Sequence, residues 1–280
     1  MAIDKYAAVW VSHSSMGDFL KCPRAYYLHN VYKDPKTGRK VSLVSPAMSL
    51  GQAVHNTIES LKEIPVAERF NRDLLADFEV NWQLVSGKMG GFKTLDEEQE
   101  VKECGRRMIQ RVLDHPGPLL RKTIRLKEGH NNMPPNFYLS EADNIILCGL
   151  IDWIEYIEAD DSIKVLDFKT GKNDEGDDSL QLPIYLLLLN ALQKRRVSGA
   201  AYWYLDRDND PLDKTLPEPE VALEKVLAVA RQVKEARIKK IFECPQGARG
   251  CFACKPYEMI VQGQAVYLGV GGYGQDLYLI

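Results

Sequence analysis

Two apolar stretches, residues 145–157 and 163–168, are parted only by the polar segment Glu158-Ala159-Asp160-Asp161-Ser162. Strand-like runs this close, joined by turn-forming residues, predict a β-hairpin. The first run contains Gly149-Leu150-Ile151-Asp152-Trp153, and the second continues as Val165-Leu166-Asp167-Phe168-Lys169-Thr170-Gly171. Asp167 and Lys169 are two apart, so in a strand both side chains leave the same face. With Asp152 on the preceding strand, the expected product is a small acidic cluster beside one cation. Hard oxygen donors of this kind suit Mg2+ or Mn2+, whose charge activates water and neutralises phosphate oxygens. An isolated Asp-x-Lys is more often a solvated surface pair, so the chemical reading depends on the residues around it.

The chain supplies that company on predicted helices. Residues 49–61 read as a helix carrying Gly51, His55 and Glu59 at four-residue steps, which places the three on one face. Residues 180–192 form an apolar helix that begins with Gln181 and Tyr185, again four apart. Ser12 is a plausible N-cap for an N-terminal helix with Phe19, Leu20, Tyr26 and Tyr27 at its apolar positions. Phe70, Leu74, Phe78, Trp82 and Val85 recur at helical spacing and read as a packing stripe. A helix over 95–113 is closed by His115-Pro116-Gly117-Pro118. Residues 123–126, 137–139 and 200–205 complete the strands, 220–242 is a further amphipathic helix, and the chain ends in a Gly- and Tyr-rich tail.

At 280 residues the chain can bury a sizeable core in one large domain or two modest ones. No apolar run approaches a membrane span, and Met1-Ala2-Ile3-Asp4-Lys5 lacks the pattern of a secretory leader, so a cytoplasmic location is expected. A formal net charge of -3 excludes a uniformly basic nucleic-acid binder. Local charge differs: Lys102, Arg106, Arg107, Arg111, Arg121, Lys122, Arg125 and Lys127 face only Glu103 and Asp114 in their stretch. This segment is either a phosphate path or a solvated helix face.

Of the six cysteines, Cys244, Cys251 and Cys254 form a C-x6-C-x2-C group, and Cys22 lies far upstream in Lys21-Cys22-Pro23-Arg24. Disulfides are not expected in a cytoplasmic chain, so clustered cysteines point to metal. Cys104 and Cys148 have no partner at ligand spacing and read as buried small residues.

The order Gly51-x-x-x-His55, Gly149-x-x-Asp152, Asp167-x-Lys169, Gln181-x-x-x-Tyr185 resembles the RecB-like branch of the PD-(D/E)XK nuclease superfamily over residues 12–254. Four motifs in sequence are far more specific than any one of them. The resemblance implies an α/β, restriction-endonuclease-like core: a mixed central β-sheet flanked by helices, with a helical insertion over residues 64–118, all in a single domain spanning 1–280. It implies His55, Asp152, Asp167 and the Phe168 carbonyl as ligands of Mg2+ or Mn2+. Lys169 would orient or activate water, or stabilise charge on the phosphate, and Gln181 and Tyr185 would position substrate. The implied activity is metal-dependent hydrolysis of DNA, single-stranded and exonucleolytic rather than endonucleolytic, in repair, recombination or phage- and CRISPR-related processing. No Walker A sequence is present, so helicase action would come from a separate partner.

Some members, including AddB-type and CRISPR-associated exonucleases, are similar in closing a 4Fe-4S cluster with one N-terminal and three C-terminal cysteines. That resemblance assigns the cluster to Cys22, Cys244, Cys251 and Cys254, as a clasp over residues 244–254. The close pair comes last in this trio rather than first, and four-cysteine Zn2+ is the alternative. The competing functions are a catalytically inactive nucleic-acid-binding module, a zinc-containing nuclease-like partner subunit, or an enzyme acting on another phosphate ester.

Overall fold

The computed structural model describes residues 7–127, 129 and 133–280; the N-terminal five residues read for a leader lie outside them. In chain order the elements are β1 (Val9–Val11), α1 (His13–Lys21), α2 (Pro23–Tyr26), a π-helical turn (Tyr27–Val31), β2 (Val41–Leu43), α3 (Pro46–Glu59), α4 (Leu74–Gln83) and α5 (Leu95–Asp114). They continue with β3 (Asn136–Ser140), β4 (Ile145–Cys148), β5 (Trp153–Ile157), β6 (Ser162–Lys169), α6 (Gln181–Leu192), β7 (Val197–Tyr204) and β8 (Leu212–Lys214). The last elements are α7 (Pro219–Lys239), α8 (Lys255–Val261), β9 (Val266–Val270) and β10 (Asp276–Leu279). The fold is mixed α/β, and the chain divides into two compact units. The first comprises Met1–Val44, Glu128–Gly149 and Pro217–Ile280; the second comprises Ser45–Lys127 and Leu150–Leu216.

The second unit is built on a mixed sheet of order β5-β6-β7-β8. β5 and β6 form the expected antiparallel hairpin, pairing Trp153 with Leu166, and the turn between them passes through Asp161 at φ 50. β6 and β7 run parallel, which demands a crossover, and α6 supplies it. That helix is apolar on every side and buried from Gln181 to Leu189, as expected of a helix enclosed by protein. On the opposite sheet face Trp153, Leu166, Phe168 and Trp203 join Val54 and Ile58 of α3, Phe78 and Trp82 of α4, and Met108 and Ile109 of α5 in one core. Gly105 permits the α4–α5 approach, because a Cβ there would meet Phe78 Cζ at 2.5 Å. Buried Arg69 ties the ends of the helical segment together by donating to the carbonyls of Leu61 (3.0 Å), Leu119 (2.7 Å) and Arg121 (2.6 Å).

The first unit carries two further mixed sheets, β1-β4-β3 and β2-β10-β9. Ser12 does cap α1, in a reciprocal capping box with Ser15.

Four local expectations are corrected. The run 145–157 is two strands, broken after Cys148, where Gly149 gives a sheet no side chain to pack. Asp152 consequently precedes β5 instead of lying within a strand. Residues 123–126 contribute only an isolated bridge between Thr123 and Glu155. The helix expected from the 66–85 stripe is confined to α4, entered through the N-cap Asp73. The Gly- and Tyr-rich tail is the β9–β10 hairpin, and β10 pairs in parallel with β2, a partner no local pattern could name.

Candidate functional site

His55, Asp152, Asp167, Phe168, Lys169, Gln181 and Tyr185 all lie in the second unit, where α3, the strand ends of the β5–β6 hairpin and the first turns of α6 converge. His55 projects from α3 with Nδ1 3.3 Å from Asp152 Oδ2 and 3.7 Å from Glu59 Oε1. Asp152 is oriented by the Phe168 backbone N–H, which donates to its Oδ2 at 2.9 Å. Asp167 and Lys169 leave one face of β6, with Lys169 Nζ 3.0 Å from Asp167 Oδ2. Phe168 points the other way, into the core, so only its main chain is available to the site.

Gln181 and Tyr185 are buried, 7% and 5% exposed, and their polar atoms face the carboxylate rather than solvent. Tyr185 donates its hydroxyl proton to Asp167 Oδ1 at 2.7 Å; Gln181 Nε2 donates to the same oxygen at 2.9 Å, and Gln181 Oε1 accepts from Lys169 Nζ at 2.5 Å. One glutamine thus fixes both members of the Asp-x-Lys pair.

Two acidic residues complete the group. Glu59 lies one turn beyond His55, and His55, Glu59 and Asp152 present ligand atoms within 4.8 Å of one another. Glu59 was legible as the third residue of the α3 face. Glu175, in the loop before α6, sits 3.1 Å from Lys169 Nζ and has no periodic signal to betray it.

The electrostatics are those of a site short of positive charge. Burial would lower His55, but the Asp152 and Glu59 carboxylates hold its imidazole up at about 10. Burial, and then the charge of Asp152, pushes Asp167 up to about 7 against the pull of Lys169 and Tyr185. Burial opposes the Lys169 charge as well, yet Asp167 and Glu175 keep its pKa above the usual lysine value. Buried carboxylates that retain protons on themselves or on a neighbouring imidazole are a donor set that a divalent cation fits.

The first unit holds a second donor set. Cys22, Cys244, Cys251 and Cys254 are all buried, and their sulfurs lie within 4.8 Å of one another, with Cys251 Sγ and Cys254 Sγ 3.8 Å apart. Backbone N–H groups of Gln246 and Cys251 point at Cys244 Sγ (3.4 Å) and Cys254 Sγ (3.2 Å). Donors to sulfur favour thiolate. Burial acts to raise Cys251, but backbone donors from Cys254 and Ala253 bring it down to about 7; burial pushes Cys254 up to about 12. Gly250, at φ 70, is required here, since a Cβ would meet Glu258 Oε2 at 2.9 Å and Cys254 Sγ at 3.2 Å. These four sulfurs fit a metal centre. Cys104 and Cys148 are half-buried rather than buried, and their thiols face Asp206 Oδ1 and the Val11 carbonyl.

Most of the basic stretch ahead of the hairpin is paired within the second unit. Lys102 and Arg106 pair with Glu79 at 2.6 and 2.5 Å, Lys122 pairs with Glu158 at 2.5 Å, and Arg121 and Arg125 pair with Glu155 and Glu63. Arg111 donates to the Leu205 carbonyl at 3.0 Å. The segment is therefore chiefly a paired surface. Among the described residues no helix is long and apolar enough to cross a membrane.

Comparison with known proteins gives one family. The model described as the PD-(D/E)XK nuclease superfamily matches residues 10–258. No curated protein matches the chain.

Proposed function

Because the chain belongs to the PD-(D/E)XK nuclease superfamily, we propose that it is a Mg2+- or Mn2+-dependent deoxyribonuclease, acting as an exonuclease on single-stranded DNA. The observation that carries this reading is the meeting of His55, Asp152, Asp167 and Lys169 from three separate segments of the second unit. His55, Asp152 and Asp167, with the Phe168 carbonyl, are assigned as the metal ligands, and Glu59 joins them by its position. These residues would hold a divalent ion, which would lower the pKa of a water and offset charge on a phosphate oxygen.

The protein's own groups have distinct tasks in this scheme. Lys169, kept protonated by Asp167 and Glu175, is a fixed cation for the charge that builds on the phosphate rather than a base. Gln181 and Tyr185 act first on Asp167 and Lys169, setting their orientation before substrate arrives, and through that pair they position the phosphodiester. Asp152 is held by the Phe168 N–H, so its carboxylate is placed by the strand itself.

Residues 1–280 are read as a single nuclease domain because the family match runs through segments of both units. The reading extends to a cytoplasmic location and to work beside a separate helicase or recombination partner, since residues 1–280 contain no Walker A sequence. For the cysteines two centres are supported. The family resemblance favours a 4Fe-4S cluster. The 3.8 Å separation of Cys251 and Cys254 favours zinc, since Zn–S bonds of about 2.3 Å place tetrahedral sulfurs about 3.8 Å apart.

The deciding assay follows end-labelled single- and double-stranded DNA with Mg2+ or Mn2+ for the wild type and Asp167→Ala. Metal-dependent shortening of single strands by the wild type alone is expected. Equal degradation by both proteins, or intact DNA alongside hydrolysis of small phosphate esters, would overturn the assignment.

A further inference from the structure

The first unit carries a group of cations of its own, outside the basic stretch that the sequence advertises. A cavity of about 860 Å³ is lined there by Arg24, Arg237 and Lys240 together with Tyr27, Phe242 and the lone acid Glu258. Its size is that of a pocket for a molecule rather than a packing defect. Glu258 is committed to Arg24 by a 2.9 Å bond, whereas Arg237 and Lys240 have no carboxylate partner among the described residues. Burial lowers the pKa of Lys40, and the next contributions are repulsion from Arg237 and Lys33. Arg237 and Lys33 thus add their repulsion to the effect of burial on Lys40. Lys33, Lys40 and Arg39 also line a neighbouring cavity of about 500 Å³ in the same unit, which has fully exposed Tyr273 at its edge.

The cavity's wall is aromatic as well as basic. Phe242 stacks on Tyr27 with centroids 4.9 Å apart and an interplanar angle of 29°. Tyr27 opens the π-helical turn Tyr27–Val31, a geometry that recurs at functional sites because it reorients side chains at some cost in stability. Half-buried aromatic rings flanked by cations without a carboxylate partner among the described residues, Arg237 meeting only the Tyr26 side chain, suit one chemistry: a base on the ring and phosphates on the cations. Paired duplex offers no free base face, and an apolar peptide leaves Arg237 and Lys240 uncompensated.

We infer that this cavity of the first unit is a binding subsite for single-stranded DNA, in which a base packs against Phe242 and Tyr27 while the adjoining phosphates meet Arg237 and Lys240. The inference rests on the nuclease reading for its choice of nucleic acid, and it relocates the phosphate path from residues 102–127 to the first unit.

The test measures anisotropy of a labelled oligo(dT), an abasic oligonucleotide of equal length and a blunt duplex with the full chain. All proteins carry Asp167→Ala and no divalent metal is added, so that binding is read without cleavage. Lys240→Glu is expected to weaken oligo(dT) and abasic strands alike by about tenfold and to flatten the salt dependence. Phe242→Leu, which keeps apolar volume but loses the ring, is expected to weaken oligo(dT) at least fivefold and leave abasic strands and duplex unchanged, with Phe242→Trp restoring affinity. Wild-type oligo(dT) affinity in both Lys240→Glu and Phe242→Leu would overturn the subsite. Equal weakening of oligo(dT) and abasic strands by Phe242→Leu would overturn the stacked base. Should Phe242→Leu fail to fold, exposed Lys240→Glu decides alone. Failure of the nuclease reading is separable: DNA left uncut by the protein carrying native Asp167, with the binding pattern intact, would remove catalysis and keep the subsite.

Discussion

Tyr185 and Asp167 are joined by a 2.7 Å hydrogen bond from the first turns of α6 to the end of β6, between two groups that are both buried. The hydroxyl favours the ionised carboxylate against the burial and the Asp152 charge that push Asp167 up to about 7. Tyr185→Phe should therefore raise the Asp167 pKa further. Mn2+-dependent DNA cleavage is expected to fall about tenfold, the usual order for a partner that orients a metal ligand. The acid limb of the rate–pH profile should move to higher pH; an unchanged rate and limb would show that Asp167 does not need Tyr185.

Glu59 sits on α3 one turn beyond His55 and shares its approach to Asp152, but it also holds Lys62 at 2.7 Å. If Glu59 belongs to the metal site, Glu59→Gln should weaken Mn2+ binding about tenfold in a calorimetric titration, and His55→Ala should weaken it more. Wild-type affinity in Glu59→Gln would leave Glu59 as the partner of Lys62 alone.

The four-cysteine group predicts a metal content that one substitution empties. Cys254→Ser should remove iron or zinc found by elemental analysis and lower the melting temperature, because the centre links Cys22 to segments over two hundred residues away. Cys148→Ser should change neither. A brown protein absorbing near about 400 nm identifies iron–sulfur, and a colourless one with stoichiometric zinc identifies the tetrahedral site.

Asp276 anchors the C-terminal strand from a fully buried position, accepting from Thr37 Oγ1 at 2.5 Å and Arg39 Nε at 2.7 Å. Burial alone would raise its pKa, but these two partners hold it below the usual aspartate value. A depressed folded-state pKa contributes stability above the unfolded value of about 3.9 that is lost as pH falls through the lower folded value. Asp276→Asn should cost about 2 kcal/mol near neutral pH, and its melting temperature should respond less than that of the wild type to acidification below about pH 4. Parallel acid profiles for the two proteins would remove Asp276 as the titrating group.

Much of the site was legible because its chemistry sits on short periods. Asp167 and Lys169 alternate on a strand, and Gly51, His55 and Glu59 repeat every four residues on a helix, so shared faces follow from backbone geometry. The basic run 102–127 stayed open between two readings for the complementary reason: its partners Glu63, Glu79, Glu155 and Glu158 lie on other elements. Counting charge along the chain does not see them. Glu175 belongs to an irregular loop, and nothing in its neighbours marks it out before the chain folds.

The sequence by itself determined the hairpin, the helices that carry His55 and Tyr185, and the close trio Cys244, Cys251 and Cys254, because each depends on side-chain period or residue spacing; only the family resemblance joined Cys22 to that trio. Tertiary structure alone decided that Gln181 bridges Asp167 to Lys169, that β10 pairs with β2, and that most of the conspicuous cations of 102–127 are matched by carboxylates of other elements. Those outcomes depend on distances between segments remote in sequence, and packing of the buried faces sets such distances.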